Sequence, residues 1–223
     1  MSLDNLGLDY VDLYLIHCPI GMVETENVVE FEPHDHKGLW ASMEKQVDQG
    51  RAKTIGVSNF NIKQIDNLLK FARIKPACNQ IELHVFLQQP ELVKFCQSHD
   101  IVVVAYSPIA NPGYNKFLKR LGIEERKDLM NILTNPVISE IAKKHGKSNA
   151  QIALRFLVQK NIVVIPKSVS PARLKENFDL FSFSLDDAEI AKMEGLDVGE
   201  PARIVDWLIF PKIDEHPDYP FGK

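Results

Sequence analysis

Ile101-Val102-Val103-Val104-Ala105-Tyr106-Ser107-Pro108 reads as a strand with no polar face, stopped by a proline. An uninterrupted apolar run of this length predicts a strand covered on both sides, as in a parallel sheet whose crossover helices pack on each face. Four other short runs rich in Val, Ile, Leu and Tyr share this character, at 11–16, 54–57, 79–85 and 162–165. Each precedes a helical pattern, and the alternation predicts parallel strands in an α/β sheet or a (β/α) barrel. A complete eight-unit barrel takes about 250 residues. The chain has 223 and offers five βα units, so a barrel here would lack three.

The intervening helices announce themselves by stripe and cap. Leu39, Trp40, Met43 and Val47 recur at helical spacing and stop at Gly50. Asn61 with Gln64 forms a capping box ahead of Ile62, Ile65, Leu68, Leu69 and Ala72, and Pro90 opens a third helix. Val137, Ile138 and Ile141 mark a short helix; Ser148, Ser170-Pro171 and Ser184-Leu185-Asp186-Asp187 cap three more, the last reaching Glu194. Residues 109–135 read as a long polar loop around Asn111-Pro112-Gly113, and loops of that length are usually functional. From Gly195 the periodicity ends in an irregular tail. No repeat or linker divides the chain, which is expected to form one domain over 1–223.

With 26 basic and 30 acidic residues the net charge is −4, leaving no basic surplus to neutralise a nucleic acid. The longest apolar runs, of about six residues, fall far short of the roughly 20 that a membrane span needs. Cys18, Cys78 and Cys96 are odd in number and lie in apolar segments, which suits free thiols in a reducing compartment. The first five residues have neither a basic nor an apolar signal region, so a cytoplasmic protein is expected.

No two glycines stand two residues apart and no Walker A sequence occurs, so a bound nucleotide is not held in the Rossmann manner. Polar residues instead collect at the carboxyl ends of the strands: His17, Ser58-Asn59, Gln80, Tyr106-Ser107 and Lys167-Ser168. In barrels that end carries the active site. Lys167-Ser168-Val169-Ser170 leads into a helix bearing Arg173, so hydroxyls, helix N–H groups and two cations suit an anion, most naturally a phosphate. The plainer reading is a solvated basic turn. His17 can donate a hydrogen bond to a substrate oxygen or serve as a structural strand-end residue, and Tyr106 can stack on a planar ring or fill core. Gln80 and Asn59 need polar partners, from backbone or ligand. Glu32, His34, Asp35 and His36 lie in a charged segment without a rigid element to fix ligands, so no metal is expected. Cys18 reads as a pocket-wall thiol, since nothing supplies it with a base.

In the blocks Leu8-Asp9-Tyr10-Val11-Asp12-Leu13-Tyr14-Leu15-Ile16-His17, Gly56-Val57-Ser58-Asn59-Phe60, Asn79-Gln80-Ile81-Glu82, Ala105-Tyr106-Ser107-Pro108, Ile165-Pro166-Lys167-Ser168-Val169 and Glu176-Asn177-Phe178, the sequence resembles the aldo-keto reductases of the aldose and aldehyde reductase branch. The ending Asp218-Tyr219-Pro220-Phe221 is similar as well. The resemblance implies a (β/α)8 barrel enzyme that moves a hydride from NADPH to an aldehyde or ketone. It implies that His17 orients the carbonyl, that Ser58, Asn59 and Gln80 hold the nicotinamide carboxamide, and that Tyr106 stacks on the nicotinamide. Ser107, Pro108, Ile109 and Asn111 would line the pyrophosphate channel. Lys167, Ser168, Val169, Ser170 and Arg173 would hold the 2′-phosphate, with Glu176 and Asn177 at the adenine. Cys18 and Trp207 would border the substrate pocket.

The family pattern opens with three further βα units that carry its catalytic Asp, Tyr and Lys, and the present sequence has no counterpart of them. The chain is therefore expected to be the carboxyl-terminal part of a longer reductase, monomeric at full length and prone to self-association on its own through open sheet edges. Weak activity, or a non-catalytic NADPH-binding or regulatory role, is the alternative implied by that departure. General acid-base catalysis is worth roughly 10² to 10⁴ in rate.

Overall fold

The computed structural model describes residues 2–24 and 29–222. In chain order the elements are α1 (Ser2–Leu6), β1 (Val11–Ile16), β2 (Gly21–Glu24), β3 (Val29–Glu32), α2 (His36–Asp48), β4 (Ala52–Ser58), α3 (Ile62–Leu69), β5 (Cys78–Glu82), α4 (Pro90–Ser98), β6 (Val102–Tyr106), α5 (Tyr114–Arg120), α6 (Pro136–His145), α7 (Asn149–Gln159), β7 (Val163–Val164), α8 (Pro171–Phe178) and α9 (Asp187–Glu194). By internal packing they form two compact units. The first takes in Met1–Ile81, Glu91–Val103 and Asp206–Lys223; the second takes in Glu82–Pro90 and Val104–Val205.

In the first unit β4 lies between β1 and β5, parallel to both. The register sets Leu15 beside Gly56 and Ser58 beside Gln80. Gly56 is obligatory for close approach: a Cβ there would stand 2.8 Å from both the Cys78 oxygen and Leu15 Cδ2. Around these strands Trp40, Ile55, Val57, Phe60, Ile65 and Leu68 are almost wholly buried. The predicted capping box at Asn61 and Gln64 is present, and the Gln64 amide also donates to the Asp218 oxygen at 2.8 Å, fastening the tail to α3. Trp40 donates its indole N–H to Ile74 O at 3.0 Å, which satisfies the one polar atom of a core residue.

In the second unit β6 and β7 pair in parallel through Val104–Val163 and Ala105–Val164. Capping boxes at Ser148 and Asp186 start α7 and α9, and Ser170 caps α8 ahead of Pro171. Gly146 ends α6 in the left-handed conformation. Ile138, Ile141, Ile152, Leu154, Phe156, Leu157 and Met193 form the buried helical faces of the unit.

The structure departs from the sequence reading in four places. An antiparallel hairpin of β2 and β3 occupies part of the charged segment that suggested no regular element; its backbone pairing depends on long-range context that side-chain pattern does not encode. The loop 109–135 contains α5, whose Tyr114 and Leu118 are buried. The third strand ends at Glu82 rather than at Val85, because His84 and Leu87 bond to each other across a tight turn. Finally, the strands are not all covered on both faces: Leu13, Tyr14, Val102, Val163 and Ile165 are each at least 41% exposed. β1 is an edge strand, with no strand on its outer side among the described residues. No helix among them is long and apolar enough to cross a membrane.

Candidate functional site

At the carboxyl end of the first unit's strands, Ser58 and Asn59 are buried polar residues that bond to backbone and to each other. Ser58 Oγ donates to Gln80 O at 2.7 Å, and Asn59, in the left-handed conformation at φ 62°, donates from Nδ2 to His17 O at 3.0 Å. These bonds bring His17, Ser58, Asn59 and Gln80 together across the ends of β1, β4 and β5. The His17 ring and the Gln80 amide themselves make no hydrogen bond within the described residues. Two side chains with donors to spare among the described residues thus stand beside the bonded carbonyls of His17 and Gln80.

Cys18 is half-buried and its thiol lies 3.5 Å from Ile20 O; burial raises its pKa, against the pull of that hydrogen bond. Trp207 sits at φ 63° with its ring 4.8 Å from that of Phe221. The His36 Nε2 bonds to Pro19 O at 2.8 Å, and no group of three or more His, Cys, Asp or Glu side chains suited to a metal gathers among the described residues.

In the second unit a cleft of about 690 Å³ is lined by Ser107, Pro108, Ile109, Asn111, Lys167, Ser168, Val169, Arg173, Glu176 and Asn177. Ser107 and Asn111 both adopt positive φ, at 49° and 33°, so the chain turns sharply out of β6. Lys167 and Arg173 are exposed and pair with no carboxylate among the described residues. Ser168 Oγ accepts from Ser170 N at 3.2 Å and Ser170 Oγ from Arg173 N at 3.5 Å, leaving both hydroxyl protons free to turn outward. Two cations without a carboxylate partner among the described residues stand beside the first turn of α8, an arrangement whose charge suits an anion.

Ser170 does not line the cleft, and neither does Tyr106, which packs among Glu82, Arg203 and Tyr114. Burial, with the Glu82 carboxylate adding to it, pushes the Tyr106 phenol far up, so it stays protonated. Sequence reasoning missed Leu133, Ser148, Asn149 and Ala150 as cleft walls. Ser148 was legible as a cap, but the direction in which its helix points is decided by packing.

A Tyr-Lys-Asp cluster does occur at the start of β1 and β4: Lys53 Nζ donates to Oη of Tyr10, just ahead of β1, at 3.1 Å and to Asp12 Oδ1 at 2.7 Å. It is exposed, and seven residues of extended chain put Tyr10 about 23 Å from His17. Tyr10 cannot share a substrate with His17.

A family model described as the aldo/keto reductase family matches residues 1–198. Aldo-keto reductase family 1 member A1-A of Danio rerio is 38% identical over 232 residues, covering 99% of this chain and 69% of its own length. Prostaglandin F synthase 1 of Bos taurus is 38% identical over 240 residues, covering 100% and 68%. Among solved structures, the aldose reductase from Schistosoma japonicum is similar at a TM-score of 0.83 and 36% identity, over 100% of this chain and 68% of its own. The fold is therefore the α/β type of the (β/α)8 barrel reductases. The chain belongs to the aldo/keto reductase family, a family of oxidoreductases.

Proposed function

We propose that this chain takes part in NADPH-dependent reduction of an aldehyde or ketone to an alcohol, and that it holds the cofactor. One observation carries the reading: ten residues that the family resemblance assigns to the cofactor's phosphates and adenine line a single cleft, and its two cations pair with no carboxylate among the described residues. A 2′-phosphate fits Lys167 and Arg173, the α8 N-terminus and the free hydroxyls of Ser168 and Ser170, which favours NADPH over NADH. Gln80, whose amide makes no hydrogen bond among the described residues, suits a carboxamide, and the flat ring of Tyr106 suits stacking.

When bound, NADPH supplies the hydride. Of the chain's own residues, His17 would donate a hydrogen bond that orients the substrate oxygen, and Cys18 and Trp207 would border the pocket; the proton that completes the alcohol is not assigned to any of them. Asn59 keeps the His17 backbone in place through its bond to the carbonyl. The substrate is a small carbonyl compound rather than a nucleic acid or membrane lipid. Three free thiols fit a reducing compartment such as the cytoplasm, and the open edge of β1 favours self-association of this chain on its own.

A non-catalytic NADPH-binding or regulatory role is favoured by the tyrosines. Tyr10 lies about 23 Å along the extended strand from His17, Tyr219 spends its proton on Asp206 O at 2.8 Å, and burial drives the Tyr106 phenol far up, so none of the three is suited to give a proton to a bound carbonyl. Titration with NADPH, followed by quenching of tryptophan emission, tests the cofactor reading: saturable binding supports it and no binding overturns it. Aldehyde-dependent oxidation of NADPH then separates enzyme from binding module.

A further inference from the structure

Each unit has a strand edge that is open, apolar and charged in the opposite sense to the other. In the first unit β1 has no strand on its outer side among the described residues, and Leu13 and Tyr14, on its two opposite faces, are both exposed. A groove of about 660 Å³ runs beside it, lined by Leu6, Leu13, Tyr14 and Leu39. In the second unit β7 is open on its outer side in the same way. Its groove, of about 610 Å³, is lined by Val163, Leu174, Phe178 and Phe181, and apart from Asn161 and Asn177 every lining residue is apolar. Phe178 and Phe181 are 83% and 73% exposed and present roughly 300 Å² between them. With Leu174 and Val163 also exposed, the patch supplies much of the roughly 800 Å² that each partner gives to a stable contact.

The charges differ in sign. Residues 2–14 carry Asp4, Asp9 and Asp12 and neither Lys nor Arg, whereas residues 160–175 carry Lys160, Lys167, Arg173 and Lys175 and neither Asp nor Glu. On the first face Lys53 is spent on Asp12 at 2.7 Å and Arg51 on Gln46 Oε1 at 3.4 Å, while Asp9 pairs with no cation among the described residues. On the second face Asp179 is neutralised by Lys147 at 2.6 Å and Lys160 by Glu194, and the Arg155 guanidinium adds a cation 5.8 Å from the Phe181 ring. Arg155 and Lys175 lie outside the cleft of Lys167 and Arg173, so this face stays cationic even with an anion seated there.

We propose that the chain associates head to tail, the β1 face of one copy seating on the β7 face of the next. The contact covers both sets of exposed apolar side chains and gives each open edge a backbone partner. Charge decides the pairing mode. Two β1 faces together would bring Asp9 and Asp12 against their own copies, and two β7 faces would do the same with Arg173 and Lys175; only the mixed contact sets acid against base. A contact between unlike faces leaves one of each unoccupied at the ends, so assembly continues beyond two chains as concentration rises. This inference is independent of the cofactor reading.

Sedimentation velocity of the purified chain tests it. The mass of the wild-type chain is expected to climb with concentration past twice the 25.3 kDa of one copy. Leu13→Lys puts a cation on the acidic face and Phe181→Asp an acid on the cationic one, and both positions are exposed, so the fold should tolerate them. Each variant alone is expected to remain at 25.3 kDa, while an equal mixture forms a species of twice that mass, because each supplies the face that the other lacks. Dimers of Leu13→Lys alone, or of Phe181→Asp alone, would show like faces pairing and overturn the proposal. A mixture that stays monomeric overturns it too, as does wild-type association that neither substitution disperses. A wild-type chain that stays at 25.3 kDa throughout overturns it as well and leaves both faces to a different polypeptide or to water. Should either variant fail to fold, Tyr14→Lys and Phe178→Asp make the same comparison.

Discussion

The side-chain amide of Asn59 donates to the main-chain oxygen of His17 across 3.0 Å, tying the end of β4 to the end of β1. Asn59 also donates to Ser58 Oγ at 3.1 Å and sits at φ 62°, a conformation asparagine tolerates better than other side-chain-bearing residues. Asn59→Ala is expected to lose the bonds and add left-handed strain, costing about 2 to 4 kcal/mol. Asn59→Gly should recover part of that loss. Urea unfolding of the two variants checks both size and order.

Arg173→Ala should weaken NADPH binding by about 1 to 3 kcal/mol, the range for a charge-assisted contact, and leave NADH nearly untouched. Arg173 has no competing carboxylate among the described residues, so nothing else in the protein should register its loss. Paired titrations with the two cofactors decide it. Equal losses would show that Arg173 does not read the 2′-phosphate.

Gly56→Ala is expected to destabilise by about 1 to 3 kcal/mol through overpacking. Its new methyl would meet the Cys78 backbone oxygen at 2.8 Å, and backbone cannot swing aside as a flexible side chain can. A urea midpoint unchanged from wild type would refute the close approach of β4 and β5.

Burial lifts the Cys78 and Cys96 thiols to about 11 from an ordinary value of 9.0. An unfolded chain gives up these protons first, so the stability that follows from keeping them is full below pH 9 and drains away as pH rises through 11. The urea midpoint should therefore fall across that window, and less steeply in Cys96→Ala. Alkylation at pH 8 should reach Cys18 slowly and leave Cys78 and Cys96 untouched until the protein unfolds.

The capping boxes at Asn61, Ser148 and Asp186, the Gly146 stop and the parallel strands were legible because each depends on neighbours within a few residues or on simple apolar runs. The cationic turn at Lys167 to Arg173, with its Ser170 cap, was legible for the same reason. The hairpin of β2 and β3 and helix α5 were not, since their stability comes from contacts the local pattern does not carry. Glu82 was quoted only as part of a motif, because a carboxylate on an apolar strand says nothing of the distant N–H groups it will meet.

The sequence by itself determined the order of βα units, the family and the residue types fit for a phosphate, all properties of short segments. Only tertiary structure decided that Lys167, Arg173 and Asn111 share one cleft, and that Asn59 spends its amide on His17 while Gln80 keeps its own. It alone set Ile204 and Val205 on Glu82. Those outcomes depend on which far-apart groups packing brings within about 3 Å, a distance at which hydrogen bonds form and which no spacing along the chain encodes.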